Sequence, residues 1–255
     1  MFKKITCLIV FLFVVMPSLL WAADTPCKLV IYCGITMVKP MVEISKEFEK
    51  ETGCKVQFVK GGSGKLMALL LKNKNGDLFL PGSDFYVKKI EADHPGLVVE
   101  KSEVGYNQAA IFVKKGNPKG VSSDLSALTD ERFKVIIGSA ERGSIGKETK
   151  KILINYGNFE QVKARATITL HSQSLVNAIK ADKADVSINW YAVSTWQENE
   201  KFVDGLRIDE AFAKKKKLVL AVLKDSKNLA QAKAFLAAAA SEKGHSIFKK
   251  FGLAD

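Results

Sequence analysis

The stretch CKLVIYCGITMVKPMVEISKEFEKETGCKVQFVKGGSGKLMALLL, residues 27–71, contains one unit twice: a short β-branched and apolar run, a loop of small residues, then a segment with helical spacing. Residues 28–33 and 55–60 read as strands. Met37, Met41, Ile44 and Phe48 recur at helical spacing after the first loop, and Gly53 stands where a helix C-terminus takes a left-handed residue. Leu66, Leu69 and Leu70 follow the second loop in the same way. Two consecutive strand-loop-helix units predict parallel strands side by side, with both loops at the carboxyl edge of one sheet.

Those loops, CGITM (33–37) and GGSGK (61–65), each carry a hydroxyl, Thr36 or Ser63. Free backbone N–H groups and the positive end of a helix dipole would point outward there, so two converging loops predict an anion site. The alternative at each position is an ordinary N-cap. Cys27 and Cys54 each directly precede the first residue of a strand. In adjacent parallel strands that register sets them about 4.8 Å apart and predicts a disulfide between them. Pairing Cys33 with Cys54 would cross a strand length, on the order of 20 Å. Cys33 is therefore expected as a free thiol at the edge of the anion site.

Residues 1–23 have a basic start, an apolar middle and a small-residue end, the pattern of a secretory signal. Export to a periplasm is expected, an oxidising compartment in which the disulfide persists. Removing Lys3 and Lys4 with the signal lowers the formal charge from +12 to about +10. An exported chain with scattered lysines and few aromatics among them is not expected to bind nucleic acid; a small anion, an anionic membrane surface or solubility fits that charge better.

Residues 77–80 read as a third strand ending in the turn PGSD, and 86–100 as a short helix and connection. Residues 109–114 (AAIFVK) read as a buried strand and mark the first crossing into another lobe. Residues 124–133 read as helix or turn and 134–138 as a strand. The loop 142–146 then leads into a helix that begins near Lys147 and stops at Gly157. Residues 165–170 form a strand, HSQS leads into a helix through Leu175, Val176 and Ile179, and 185–189 form another strand, ending at Trp190 and Tyr191. The run KKKK (214–217) enters LVLAVL, a strand returning to the first lobe, followed by an Ala-rich helix at 229–240 and a last amphipathic stretch.

Enzyme chemistry finds little support. His94, His171 and His245 show no metal-ligand spacing. GGSGK fails as a phosphate loop because Val59 stands five before Gly64, and Leu66 where Ser or Thr belongs. A thiol pair of Cys33 with His171 is the one catalytic combination the order of elements suggests. Hydroxyls and backbone amides at several helix starts, by contrast, can hold an anion in a closed cleft without lysine or arginine. Donors alone prefer a fully deprotonated oxyanion. A protonated one such as hydrogen phosphate needs an acceptor, for which Asp84 is the candidate.

The order CGITM, GGSGKL, DLFLPGSD, AAIFVKKGNP, GSIGKETKKIL, ADVSINWYA and FLAAAASEKGHSIFKKFG resembles the periplasmic molybdate-binding proteins of ABC importers, a branch of the two-lobed oxyanion receptors. The likeness covers nearly the whole chain after the signal. It implies an α/β periplasmic binding protein fold of type II, each lobe a mostly parallel sheet flanked by helices, the lobes joined by two crossing strands. Residues 24–108 with 214–255 would form one lobe and 109–213 the other. The resemblance puts Thr36 and Ser63 on the anion from the first lobe. From the second come the loop at Ser144 and Ile145, the helix start at Ser172 or Gln173, and an aromatic hydroxyl at Tyr191, with Trp190 as the neighbouring alternative. Thr36 stands where the family has Ser, and Ile145 is bulkier than its small residue. The implied function is capture of molybdate or tungstate for a membrane permease by a monomer. No cofactor is implied, and the metal enters only within the oxyanion. Two other functions share parts of this reading: a sensor reporting to a membrane kinase, and a Cys33-dependent thiol protein such as an arsenite binder.

Overall fold

The structure, a computed structural model, describes residues 27–141, 144–169 and 172–254; the expected signal segment and His171 lie outside them. Strand β1 (Lys28–Gly34) runs through a short 3₁₀ turn at Ile35–Met37 into α1 (Val38–Thr52). β2 (Lys55–Gly61) leads in the same way into α2 (Ser63–Asn73). α1 buries Met41, Ile44 and Phe48 on the sheet and ends at Gly53, whose φ of 72° is the left-handed cap. Phe48 meets Phe235 edge to face at 5.1 Å, and this contact ties the N-terminal unit to the C-terminal helices.

β3 (Leu78–Leu80) and α3 (Phe85–Asp93) follow, then β4 (Val98–Asn107). Much later β10 (Lys216–Leu223), α8 (Leu229–Ala240) and α9 (Glu242–Lys250) return to the same lobe. The first sheet has the order β2-β1-β3-β10-β4. β1 is parallel to β2 and β3, whereas β10 is antiparallel to both β3 and β4. The expected disulfide is present: Cys27 and Cys54 are bonded with Cα atoms 4.6 Å apart, directly before the paired residues Lys28 and Lys55.

The second lobe contains β5 (Ala109–Lys114), β6 (Val135–Gly138), α4 (Ser144–Tyr156) and α5 (Phe159–Arg165). It continues with β7 (Thr167–Thr169), α6 (Ser172–Lys180), β8 (Val186–Trp190), the short α7 (Tyr191–Ser194) and β9 (Val203–Arg207). Its sheet order is β7-β6-β8-β5-β9, parallel at β6 with β7 and β8 and antiparallel at β5 with β8 and β9. Each lobe is thus α/β with a mixed sheet, parallel on one side and antiparallel on the other.

Two strands that the sequence reading lacked, β4 and β9, are both edge strands. Their sequences, VVEKSEVGYN and VDGLR, carry charge because an edge strand faces water and is protected by it. The expected connection over 86–100 is in fact α3 followed by the start of β4.

The chain crosses between the sheets at Gln108 and again over residues 208–215. Gln108 joins the two crossings: its side-chain amide donates to the Ala213 carbonyl at 3.2 Å, and its side-chain carbonyl accepts from Arg207 at 2.8 Å. Across the lobes, Lys39 on α1 places its ammonium 2.6–2.7 Å from both carboxylate oxygens of Glu198 and 4.7 Å from the Trp196 ring centroid. This contact ties α1 to the segment after α7, although both charges are partly solvated and screened. Lys39→Met is expected to weaken ligand affinity about 2- to 5-fold, and adding Glu198→Gln to weaken it no further, as read by titration.

Candidate functional site

A cavity of about 520 Å³ opens between the lobes. Four helix starts surround it, because β1, β2, β6 and β7 run parallel to their neighbours and each is followed by a helix at this edge. From the first lobe come the turn after β1, with Ile35, Thr36 and Met37, and the start of α2 at Gly62, Ser63 and Gly64. From the second come the start of α4 at Ser144 and Ile145 and the start of α6 at Ser172 and Gln173. Lys65, Tyr86, Glu141, Lys147, Trp190 and Trp196 complete most of the wall.

Thr36 and Ser63 are buried, and neither caps its own helix. Gly34 and Gly62 hold the cap positions, without a side-chain capping bond. The Ser63 hydroxyl instead accepts from the Gly82 backbone N–H at 2.9 Å, in the loop after β3. Its own proton is therefore left for another acceptor. Thr36 accepts from the Asn107 side-chain amide at 3.2 Å and donates to the Met37 sulfur at 2.8 Å. A thioether is a weak acceptor, which an anionic oxygen would displace. Asn107 is buried, sits where the first lobe ends, and keeps its carbonyl oxygen unpartnered among the described residues.

In the second lobe α4 starts hard against the end of β6. An added Cβ at Gly146 would lie 2.1 Å from the Ser139 carbonyl oxygen, so only glycine permits this approach. α6 is fixed by Asn189, fully buried, whose amide donates to the Ser172 carbonyl at 2.9 Å and whose own carbonyl accepts from the Trp190 N–H at 2.9 Å.

Tyr191 does not line the cavity; Trp190 does. Trp190 is the last residue of β8, and the chain turns into α7 at the next position. The turn sends the Tyr191 ring beneath the Arg207 guanidinium, 4.0 Å from its centroid, and against Gly205 of β9. The expected phenol is thus replaced by an indole. A second indole, Trp196, is buried with its N–H unpartnered among the described residues. No motif marks Trp196, which reaches the cleft from the segment after α7.

Cys33 is fully buried and is not among the lining residues. Its S–H contacts the Gly34 carbonyl at 3.5 Å, and burial pushes the thiol far above its ordinary value. A thiol kept neutral in this way is a poor nucleophile and a poor ligand for a thiophilic anion. Asp84 is held 2.5 Å from Lys88 and is not among the lining residues either. The carboxylate at the cavity is Glu141. It accepts from the Ser139 hydroxyl at 2.9 Å, a bond that holds its carboxyl below the usual glutamate range. Among the described residues no group of three histidine, cysteine or carboxylate side chains could hold a metal.

The model of the family "bacterial extracellular solute-binding protein" matches residues 29–254. A Haemophilus influenzae protein named as a binding protein is 29% identical over 140 residues, 55% of this chain and 56% of its own length. The chain therefore matches little more than half of that relative. A Bacillus subtilis protein named as an ABC transporter substrate-binding lipoprotein is 23% identical over 213 residues, 82% of this chain and 80% of its own.

Among solved structures, the substrate-binding domain assigned to a molybdenum ABC transporter of Clostridium difficile superposes with a TM-score of 0.73 at 22% identity, covering 89% of this chain and 97% of that one. The periplasmic molybdate-binding protein of Azotobacter vinelandii gives 0.74 at 15% identity, over 88% and 97%. The same fold carries proteins named for sulfate binding and for bound L-phospholactate, at TM-scores of 0.71 and 0.69. At these identities the likeness establishes the two-lobed architecture. With the family match spanning nearly all the described residues, the chain belongs to the bacterial extracellular solute-binding proteins.

Proposed function

We propose that the chain captures a small oxyanion between its lobes, molybdate or tungstate in the first instance, and delivers it to a membrane permease. Residues 24–108 with 214–255 act as one lobe and 109–213 as the other, in a monomer exported to the periplasm. The observation that carries this reading is the convergence of four helix starts, two from each lobe, on one cavity in which the first-lobe hydroxyls, Thr36 and Ser63, are not spent on capping their helices. Amides and hydroxyls from both sides can share one anion, so binding and lobe closure are one event.

The test is a calorimetric titration of the ligand-free chain with molybdate, tungstate, sulfate, phosphate and arsenite at one ionic strength. Tight molybdate or tungstate binding with weak sulfate is the expected result, and no heat from any of the five would sink the proposal. Ser63→Ala is expected to lower affinity about 10- to 100-fold, since a hydrogen bond to a charged group is worth roughly 1.5–3 kcal/mol.

Glu141 and the cavity volume favour a second reading, an anion that carries a proton or an organic tail. About 520 Å³ falls in the range of pockets for organic ligands, and two indoles offer an apolar wall. An ionised Glu141 repels a bare dianion and accepts from a ligand hydroxyl. Glu141→Gln is expected to shift the ratio of sulfate to phosphate affinity about tenfold toward sulfate. An unchanged ratio would remove Glu141 from specificity.

A further inference from the structure

A second concavity, of about 540 Å³, lies between the outer face of α4 and the segment that crosses back to the first lobe. Lys147, Lys150, Lys151 and Ile154 fall at i, i+3, i+4 and i+7 of α4, one stripe of the helix, and Lys214 faces them from the crossing segment. Lys216 of the same groove is paired with Glu148 at 2.9 Å. Among the described residues none of the other four lysines makes a direct ion pair; Lys150 acts on Glu141 at longer range and lies 5.5 Å from the Phe159 ring centroid. Ile154 is 57% exposed in their midst.

Helix stability does not explain this arrangement. α4 has no acidic residue in its first turn, and Lys147 there sits at the positive end of the helix dipole, where a cation is disfavoured. We infer that this groove is a docking surface for anionic phospholipid headgroups.

The composition decides for lipid over protein. Protein interfaces enrich arginine and aromatic residues and deplete lysine, whereas here the unpaired charge is all lysine and the lining aromatic, Phe212, is engaged edge to face with Tyr156 at 5.0 Å. Hydrated ammonium groups on flexible stems around an exposed aliphatic side chain suit a diffuse anionic surface, into which the isoleucine can dip. The inference is independent of which anion the cleft holds. Lys147 also lines that cleft and is therefore left intact in the test.

The experiment is co-sedimentation of the mature chain with phosphatidylglycerol or phosphatidylcholine vesicles, at about 50 and about 300 mM salt. It compares the wild type, Lys150→Gln/Lys151→Gln/Lys214→Gln, and a control of equal charge loss on the first lobe, Lys46→Gln/Lys50→Gln/Lys72→Gln. Expected are binding to phosphatidylglycerol alone, at least tenfold weaker at the higher salt. The loss in the groove variant should be at least tenfold, with little change in the control and anion titration intact in both. Equal losses in both variants would reduce the effect to net charge and overturn the assignment. So would slower anion association in the groove variant without vesicle binding, which would make the patch a steering field. Capture on proteoliposomes carrying inner-membrane proteins, with protein-free vesicles ignored, would make the occupant a protein and overturn it too.

Discussion

Replacing Gly146 with alanine is expected to abolish anion binding and to lower stability by about 3 kcal/mol, at the upper end of what a single inserted methyl costs. The new Cβ would lie 2.1 Å from the Ser139 carbonyl oxygen, 2.3 Å from its carbon and 2.7 Å from the Gly138 carbonyl carbon. All three are main-chain atoms, so no side chain can swing aside. The only relief is to lift the start of α4 away from β6, and with it Ser144 and Ile145. Two measurements check this: a denaturant midpoint, and titration with the anion that binds the wild type. Gly62→Ala is the control. It lies in the same cavity at the other lobe, has φ of −73°, and an added Cβ there meets nothing within 4 Å. It should change stability by no more than about 0.5 kcal/mol. Equal tolerance at both glycines would mean that the close approach at β6 is not what sets the second half of the site.

Loss of the disulfide should separate stability from binding. Cys27 and Cys54 are 27 residues apart, and a loop of that size gives roughly 3–4 kcal/mol in the chain-entropy account. The Cys27→Ser/Cys54→Ser variant is therefore expected to melt about 10 °C lower, taking 2–4 °C per kcal/mol for a chain of this length. The bond closes the amino ends of β1 and β2, while the candidate site lies at their carboxyl ends, where Gly34 pairs with Gly61. That separation is on the order of 20 Å along the strands. Anion affinity should change by less than about twofold. A large loss of affinity would show that the register of β1 and β2 depends on the bridge.

Much of this architecture is legible in residues because two local codes agree. Apolar runs of β-branched residues, each followed by small residues and a helical stripe, specify β1 through α2, and the same grammar returns at Gly138 and at Ser172. Two of the edge strands, β4 and β9, break their apolar runs with charged residues and glycine and so read as connections. The fate of Tyr191 turned on one residue of register at the end of β8, where alternation stops and no local signal says which of two adjacent aromatics points inward. Glu141, Trp196 and Asn107 come from segments without a motif; only tertiary packing brings them to the cavity or to Thr36. Cys33 shows the converse: a reactive residue type beside a site, made inert by full burial.

The position of β10 between β3 and β4 has a consequence for the order in which the molecule can assemble. Residues 109–207 supply every strand of the second sheet, so that half can close as soon as it is made. The first sheet cannot. Its strands β1 to β4 are complete by residue 107, yet β3 and β4 have no shared edge until residues 216–223 arrive to be laid between them. A nascent chain therefore carries an unfinished sheet while residues 108–215 are made. The last strand to appear is the one that zips it. Such a contact, more than 100 residues apart in sequence, is slow to form and leaves the first sheet open until β10 is made.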